Sequence, residues 1–213
     1  MTAQVWSNVA VAMQSALATA VTITGISKAD PAVVSHSGTD PTNGNFVVIQ
    51  ATGMTDVDGR VFRVANVSAG VSFELEGLDS TLFDTFISGT FEEITFGTTF
   101  GTVRGVTVSG GEYDFVDTTT IHDKISTQIP SIASALEFGL ENRWEPGDTA
   151  LDAMRAASDA KAERAFKFTF ASGALVVFYG YVGFVFAPNG AAQDLVTSPA
   201  SITASGLHTN YAS

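Results

Sequence analysis

The sequence predicts a mainly β protein, an antiparallel β-sandwich or barrel with one short α-helix and a small β-barrel-like module set into it. Three observations carry this. From Phe168 to Gln193 the chain contains no Asp, Glu, Lys, Arg or His and alternates and turns like paired strands. Between Ile26 and Ile94 apolar residues come in short units divided by turn residues. Only one window, after Pro146-Gly147-Asp148, has helical spacing.

At the N-terminus, Met1 to Thr24 is apolar and rich in small residues. It lacks a basic start, and Asn8, Gln14 and Ser15 interrupt it, so neither a signal peptide nor an anchor is expected. Strand patterns follow at 32–34, 46–50, 60–67 and 71–77, spaced as in a small barrel or sandwich. A polar loop runs from Ser35 to Asn43, and Asp58-Gly59 favours a tight hairpin before Val61-Phe62-Arg63-Val64. The texture changes again near Thr95. Residues 23–94 are therefore expected to form an inserted small β domain, and 1–22 with 95–213 a discontinuous one.

Strand-like sequence resumes at 100–109 and 113–121, on either side of Gly110-Gly111. In the next segment Leu136, Phe138 and Leu140 alternate with Glu137, Gly139 and Glu141, which marks one buried and one solvated face. Asp148 is the N-cap of a helix expected over 149–163, with Leu151, Met154 and Ala157 on one narrow stripe. Such a stripe suits packing on a sheet.

The hairpin comes next. Phe166-Lys167-Phe168-Thr169-Phe170 leads out, Ser172-Gly173 turns, and 174–187 returns. On the return strand Val177, Tyr179, Tyr181 and Gly183 share one face, while Val176, Phe178, Gly180, Val182 and Phe184 share the other. Neither face is polar. Gly173, Gly180, Gly183 and Pro188-Asn189-Gly190 break the run too often for a membrane span. A strand apolar on both faces sits between two layers; the helix supplies one, and the other is expected from outside the chain. The last segment, 194–209, reads as a strand that Pro199 places at an edge or bend.

Little chemistry is written in this chain. Its net charge of -12, from 22 acidic and 10 basic residues, argues against binding nucleic acid by neutralising phosphates. The absence of cysteine removes disulfides and thiolate metal sites. His36, His122 and His208 are scattered and match no catalytic or metal spacing. Asp56-Val57-Asp58-Gly59 is a turn rather than a calcium loop, because the remaining ligands are missing. Glu137 and Glu141 share a strand face, as paired catalytic carboxylates do, but ordinary alternation accounts for them. No enzyme activity, cofactor or metal is expected, which leaves structural or binding roles.

A collinear series of segments carries a family likeness. The run from Leu136-Glu137-Phe138-Gly139-Leu140-Glu141 to Asn142-Arg143-Trp144-Glu145-Pro146, the helix ending Ala156-Ala157-Ser158-Asp159-Ala160-Lys161, and Arg164-Ala165-Phe166-Lys167-Phe168 resemble the major tail tube proteins of long-tailed, siphovirus-type bacteriophages. So do Phe178-Tyr179-Gly180-Tyr181-Val182-Gly183 and Gly190-Ala191-Ala192-Gln193-Asp194-Leu195-Val196, while Asp117 to Asp123 is similar to the family's loop before the sheet. The likeness runs from Phe115 to the C-terminus and, more weakly, over Val5-Trp6 to Leu17. The 23–94 module resembles small β domains inserted in phage tail proteins, on Ile26 to Val34, Gly53 to Phe62 and Phe73-Glu74-Leu75-Glu76-Gly77.

The resemblance implies a tail-tube β-sandwich and a virion protein assembled in the bacterial cytoplasm. It implies hexameric rings that stack into a hollow tube, with other tail proteins at the tube ends and no membrane insertion. Double-stranded DNA would pass through without specific binding. Acidic residues expected to face the lumen are Glu112, Asp114, Asp117, Glu137 and Glu141. Expected inter-subunit sheet contacts are Val177, Tyr179, Tyr181, Val182, Phe184 and Phe186. Competing readings are a tail terminator or a contractile-type inner tube protein, and a carbohydrate-binding adhesin built on the β module with its Ser35 to Asn45 loop and Phe83, Phe86 and Phe91.

Overall fold

A computed structural model describes residues 6–212; residues 1–5, with Val5 of the N-terminal likeness, lie outside the described residues. In chain order the elements are β1 (Ala10–Met13), β2 (Ala16–Leu17), β3 (Val21–Ile26), β4 (Ala32–His36), β5 (Phe46–Thr52), β6 (Arg60–Ser68), β7 (Ser72–Leu75) and β8 (Ser88–Thr95). There follow β9 (Thr98–Phe100), β10 (Val103–Ser109), β11 (Tyr113–Asp117), β12 (Gln128–Ala133), β13 (Glu137–Arg143), α1 (Thr149–Asp159), β14 (Glu163–Thr169), β15 (Leu175–Phe184), β16 (Thr197–Ala204) and β17 (Thr209–Tyr211). The protein is mainly β and antiparallel throughout, with one α-helix among the described residues, as the sequence predicts.

Strands β3 to β8 pair in the order β8-β3-β4-β7-β6-β5, and β5 pairs back onto β8, which closes a barrel. Closure removes the sheet edges. Val34, Ile49, Phe62, Phe73, Leu75 and Phe91 fill the interior, one alternate face of each short strand pointing inward.

A second sheet runs β10-β13-β16-β15-β14-β1-β9, with β17 beside β15. Its two ends, β9 and β10, are joined by Gly101 and Thr102 alone. From Phe100 to Val103 the chain can span only about 10 Å, so the sheet curls until its ends stand side by side. The expected single strand at 100–109 is broken there for that reason. Phe138, Phe166, Phe178, Ile202 and Met13 fill the curl. The Phe178 ring stacks on Phe138 at 4.0 Å and on Phe166 at 5.6 Å between centroids.

Helix α1 plugs this core with Leu151, Met154 and Ala157. Asp148 caps it as expected, its side chain accepting from the amides of Ala150 and Leu151 at 2.9 Å each. The helix stops at Asp159, short of the expected end at Glu163. Lys161 adopts a left-handed φ of 51°, and the Ala162 amide donates back to the Ala157 carbonyl at 3.1 Å. This closes the last turn in the Schellman manner and frees Glu163 to begin β14.

The apolar hairpin is β14–β15, paired Phe166 to Phe178 and Lys167 to Val177. Its return strand ends at Phe184, before the expected Ala187. At Gly180, where β15 passes β16, a Cβ would stand 2.3 Å from the Thr203 carbonyl oxygen, so only glycine fits. Pro199 is not on a sheet edge, because β16 lies between β13 and β15. It is tolerated since the β15 ladder reaches only to Ala200.

The second cover of β15 comes from the chain itself, which corrects the expectation of an outside layer. Val177, Tyr179, Ala165 and Tyr211 form one buried cluster with Phe46, Val48, Val61 and Ile94 of the barrel. The Arg63 amide donates to the Tyr211 hydroxyl at 2.7 Å, and the Arg63 guanidinium lies over the Tyr211 ring at 4.6 Å while pairing with Glu76. Lys167 sits over the rings of Phe96 and Phe46 at 4.7 and 5.4 Å, and burial pushes its pKa down. Burial, reinforced by Glu163 for Tyr179, pushes the phenols of Tyr179 and Tyr211 up to about 12.

Candidate functional site

Two surfaces of the curled sheet unit carry neither helix nor barrel. The first is the outer face of β10, β13, β16 and the end of β15. Its alternate residues face outward because Phe138, Leu140 and Ile202 take the core side. Read across the strands, one row is Thr107, Gly139, Ser201 and Gly183, and the next is Ser109, Glu137, Thr203 and Tyr181. Glu141 lies on the same face beyond Gly139. A bulge between Val103 and Gly105 turns Arg104 toward it, and the two charges stand 3.7 Å apart. Both are half exposed, so this pair adds little stability. The face is made of hydroxyls, glycines and carboxylates.

The second surface is the ribbon β11–β12. Among the described residues the two strands pair only with each other, and every residue from 107 to 135 is exposed. Gly110 and Gly111, with φ of 78° and 80°, turn the chain off the end of β10; a Cβ on Gly110 would come 2.0 Å from the Ala135 carbonyl oxygen. Phe115 stands opposite Pro130 and Val116 opposite Ile129. Consecutive pairs point to opposite faces, so the ribbon shows apolar side chains on both. Asp117 and Asp123 tie down the tip. The hydroxyl and amide of Thr119 hold the Asp117 carboxyl below its ordinary pKa, and the amide and hydroxyl of Thr120 do the same for Asp123.

The expected site residues divide between these surfaces and the core. Glu137 and Glu141 lie on the sheet face, whereas Asp114 and Asp117 ride on the ribbon and Glu112 at its root; the five acids do not form one array. Of the expected inter-subunit contacts, Val177 and Tyr179 are buried against the barrel, and Val182 and Phe184 inside the curl. Phe186 is half-buried beside Trp144 and under Arg155. Tyr181 alone points outward, 52% exposed. The ribbon escaped the sequence reading as a pair, because Thr and Asp dilute its apolar residues to the composition of a loop; the expected strand 113–121 stops at Asp117 and the rest is tip.

Among the described residues no catalytic grouping accompanies these surfaces. His36 is buried between Phe73 and Phe91 with its Nε2 3.4 Å from Asp40, His122 is at the ribbon tip, and His208 lies beside Arg60. Among the described residues no cluster of three or more His, Asp or Glu could hold a metal, and no helix is long and apolar enough to cross a membrane.

The model of the family described as phage tail tube protein matches residues 52–213. The chain belongs to that phage tail tube family. No curated protein matches it. The match opens at Thr52, the last residue of β5, and takes in β6 to β8 of the barrel, both uncovered surfaces and the apolar hairpin. As a tail tube protein the chain is a structural component of the virion, of a class that is not enzymatic. Tail tube membership implies self-assembly alongside other tail proteins.

Proposed function

We propose that the protein forms rings, six copies to a ring, that stack into the hollow tail tube of a long-tailed phage, and that DNA passes through the bore during ejection. The reading rests on the family and on one observation above all, the uncovered face of β10, β13, β16 and β15. Antiparallel sheets commonly leave one face to solvent; this one carries small hydroxyl and glycine positions in rows across four strands, with Glu137 and Glu141 and one exposed aromatic, Tyr181.

Turned toward the bore, such a face offers DNA no cationic foothold apart from Arg104 beside Glu141. Its carboxylates repel the phosphates, so DNA slides instead of releasing counterions and sticking. The barrel packs on another part of the outer surface, at Val177 and Tyr179, and on this reading 23–94 is an inserted module that points away from the bore.

Electron microscopy of purified protein tests the assembly. Filaments of uniform bore are expected, and single rings would favour a terminator. In assembled virions Glu137→Lys with Glu141→Lys should slow DNA ejection; unchanged ejection kinetics would remove that face from the bore while leaving the tube intact.

A further inference from the structure

The sequence holds two Asn-Gly pairs, Asn43-Gly44 and Asn189-Gly190, and all four residues are exposed. An asparagine followed by glycine is open to attack from within the chain: the glycine nitrogen can reach the side-chain amide carbon and close a five-membered ring, because no Cβ on the glycine stands in the way. The attack needs that nitrogen free of an acceptor and the asparagine side chain free to fold back over it. At the first pair the Gly44 amide donates to the Val64 carbonyl at 2.8 Å, the Asn45 amide to the Thr42 carbonyl at 3.0 Å, and the Val64 amide to the Asn45 carbonyl at 2.8 Å. This turn is stitched to β6, and its reactive nitrogen is engaged.

The second pair is held the other way round. Asn189 exchanges two backbone hydrogen bonds with Thr197, each of 2.8 Å, so its carbonyl points at the start of β16. In a trans peptide the following N–H points opposite to the carbonyl. The Gly190 amide is therefore turned away from Thr197, and among the described residues it donates to no acceptor. Asn189 also borders an open hollow of about 500 Å³, with Gly183, Val185, Pro188, Pro199 and Ser201 around it, which leaves its side chain room to turn and water room to enter. Residues 190–196 belong to no strand or helix.

We infer that Asn189 is a site of spontaneous deamidation in the folded protein, and that the fold protects Asn43. The Gly190 nitrogen attacks Cγ of Asn189; the new C–N bond closes a succinimide as the Cγ–Nδ2 bond breaks, and the Gly190 amide proton leaves with that nitrogen as ammonia. Water then opens the ring at either carbonyl to give aspartate or isoaspartate, with nothing oxidised or reduced. Either product adds one negative charge to a chain whose net charge is already -12. Isoaspartate also inserts a methylene into the backbone, so Asn189 can no longer keep both of its bonds to Thr197, and the loop before β16 is released.

Incubation of the purified full chain in mildly alkaline buffer, followed by peptide mass spectrometry that separates aspartate from isoaspartate, tests this. In the folded protein conversion at 189 should run at least tenfold faster than at 43, and in denaturant, where both nitrogens are free, the two rates should converge. Gly190→Ala should slow conversion at 189 at least tenfold and leave position 43 as it was. The fold accepts that change, because a Cβ on Gly190 comes no closer than 3.6 Å to the Leu195 carbonyl oxygen and the Val196 Cα. Equal rates at the two sites in the folded chain, or conversion at 189 only after denaturation, would overturn the inference. Undiminished conversion at 189 in Gly190→Ala would also refute it, by showing that the Gly190 nitrogen is not the attacking group.

Discussion

The hairpin β14–β15 and the ribbon β11–β12 are both antiparallel pairs studded with apolar residues, yet they live in opposite surroundings. Phe178 and Val177, on the two faces of β15, are both fully buried, one in the curl with α1 and the other under the barrel. Phe115 and Val116, on the two faces of β11, are both exposed. The hairpin is held by neighbours on both edges, β1 beside β14 and β16 and β17 beside β15. The ribbon leaves its sheet at Gly110, and among the described residues its strands pair only with each other. What separates the two is where the chain puts its other layers.

Changes to these two pairs should therefore differ greatly in cost. Phe178→Ala removes the ring stacked between Phe138 and Phe166 and should lower the stability of the monomer by about 3–5 kcal/mol in denaturant unfolding; a loss below about 1 kcal/mol would mean that the curl is not the core. Phe46→Ala strikes the other face, where the barrel meets Tyr211 and Lys167. It should cost about 2–4 kcal/mol and leave a single transition, because barrel and sheet share that cluster. Two separated transitions would show the barrel to be an independent attachment.

The same interface predicts a response to alkali. Tyr179 and Tyr211 ionise near 12 when folded and near about 10 when unfolded. Their neutral forms stabilise the fold fully below the lower value. Above it the unfolded chain releases protons that the folded chain keeps, so stability falls as pH rises from about 10 to about 12, by about 1–2 kcal/mol for each tyrosine. Tyr179→Phe with Tyr211→Phe should flatten that part of the pH profile, and an equally steep fall in the double variant would assign it elsewhere. At the other extreme, Val116→Ser or Ile129→Ser on the ribbon should change monomer stability by less than about 0.5 kcal/mol, as read by thermal melting.

Much of the architecture was legible because it rests on local rules. The alternation of Phe138 and Leu140 with Glu137 and Glu141 matches the burial of those four residues in β13, and Asp148 is the cap it resembles. The helix ends before its composition predicts, since Ala160 to Glu163 continue helix-forming composition while the stop depends on the left-handed turn at Lys161. The site was less legible. Tyr181 and Val177 are equivalent by period on one strand, but the barrel reaches only as far as Tyr179, so one is exposed and the other buried.

By itself the sequence determined β4 to β7, β13, the single α-helix, the charge-free hairpin and the two-sided apolar character of β15, since each follows from side-chain periodicity and turn chemistry within a few residues. Only the tertiary structure decided that the barrel closes through β5 and β8, that it covers β15 from within the same chain, and that the ribbon β11–β12 stays exposed. Those outcomes depend on contacts between segments far apart in the chain, and no local pattern records which distant surface arrives to exclude water.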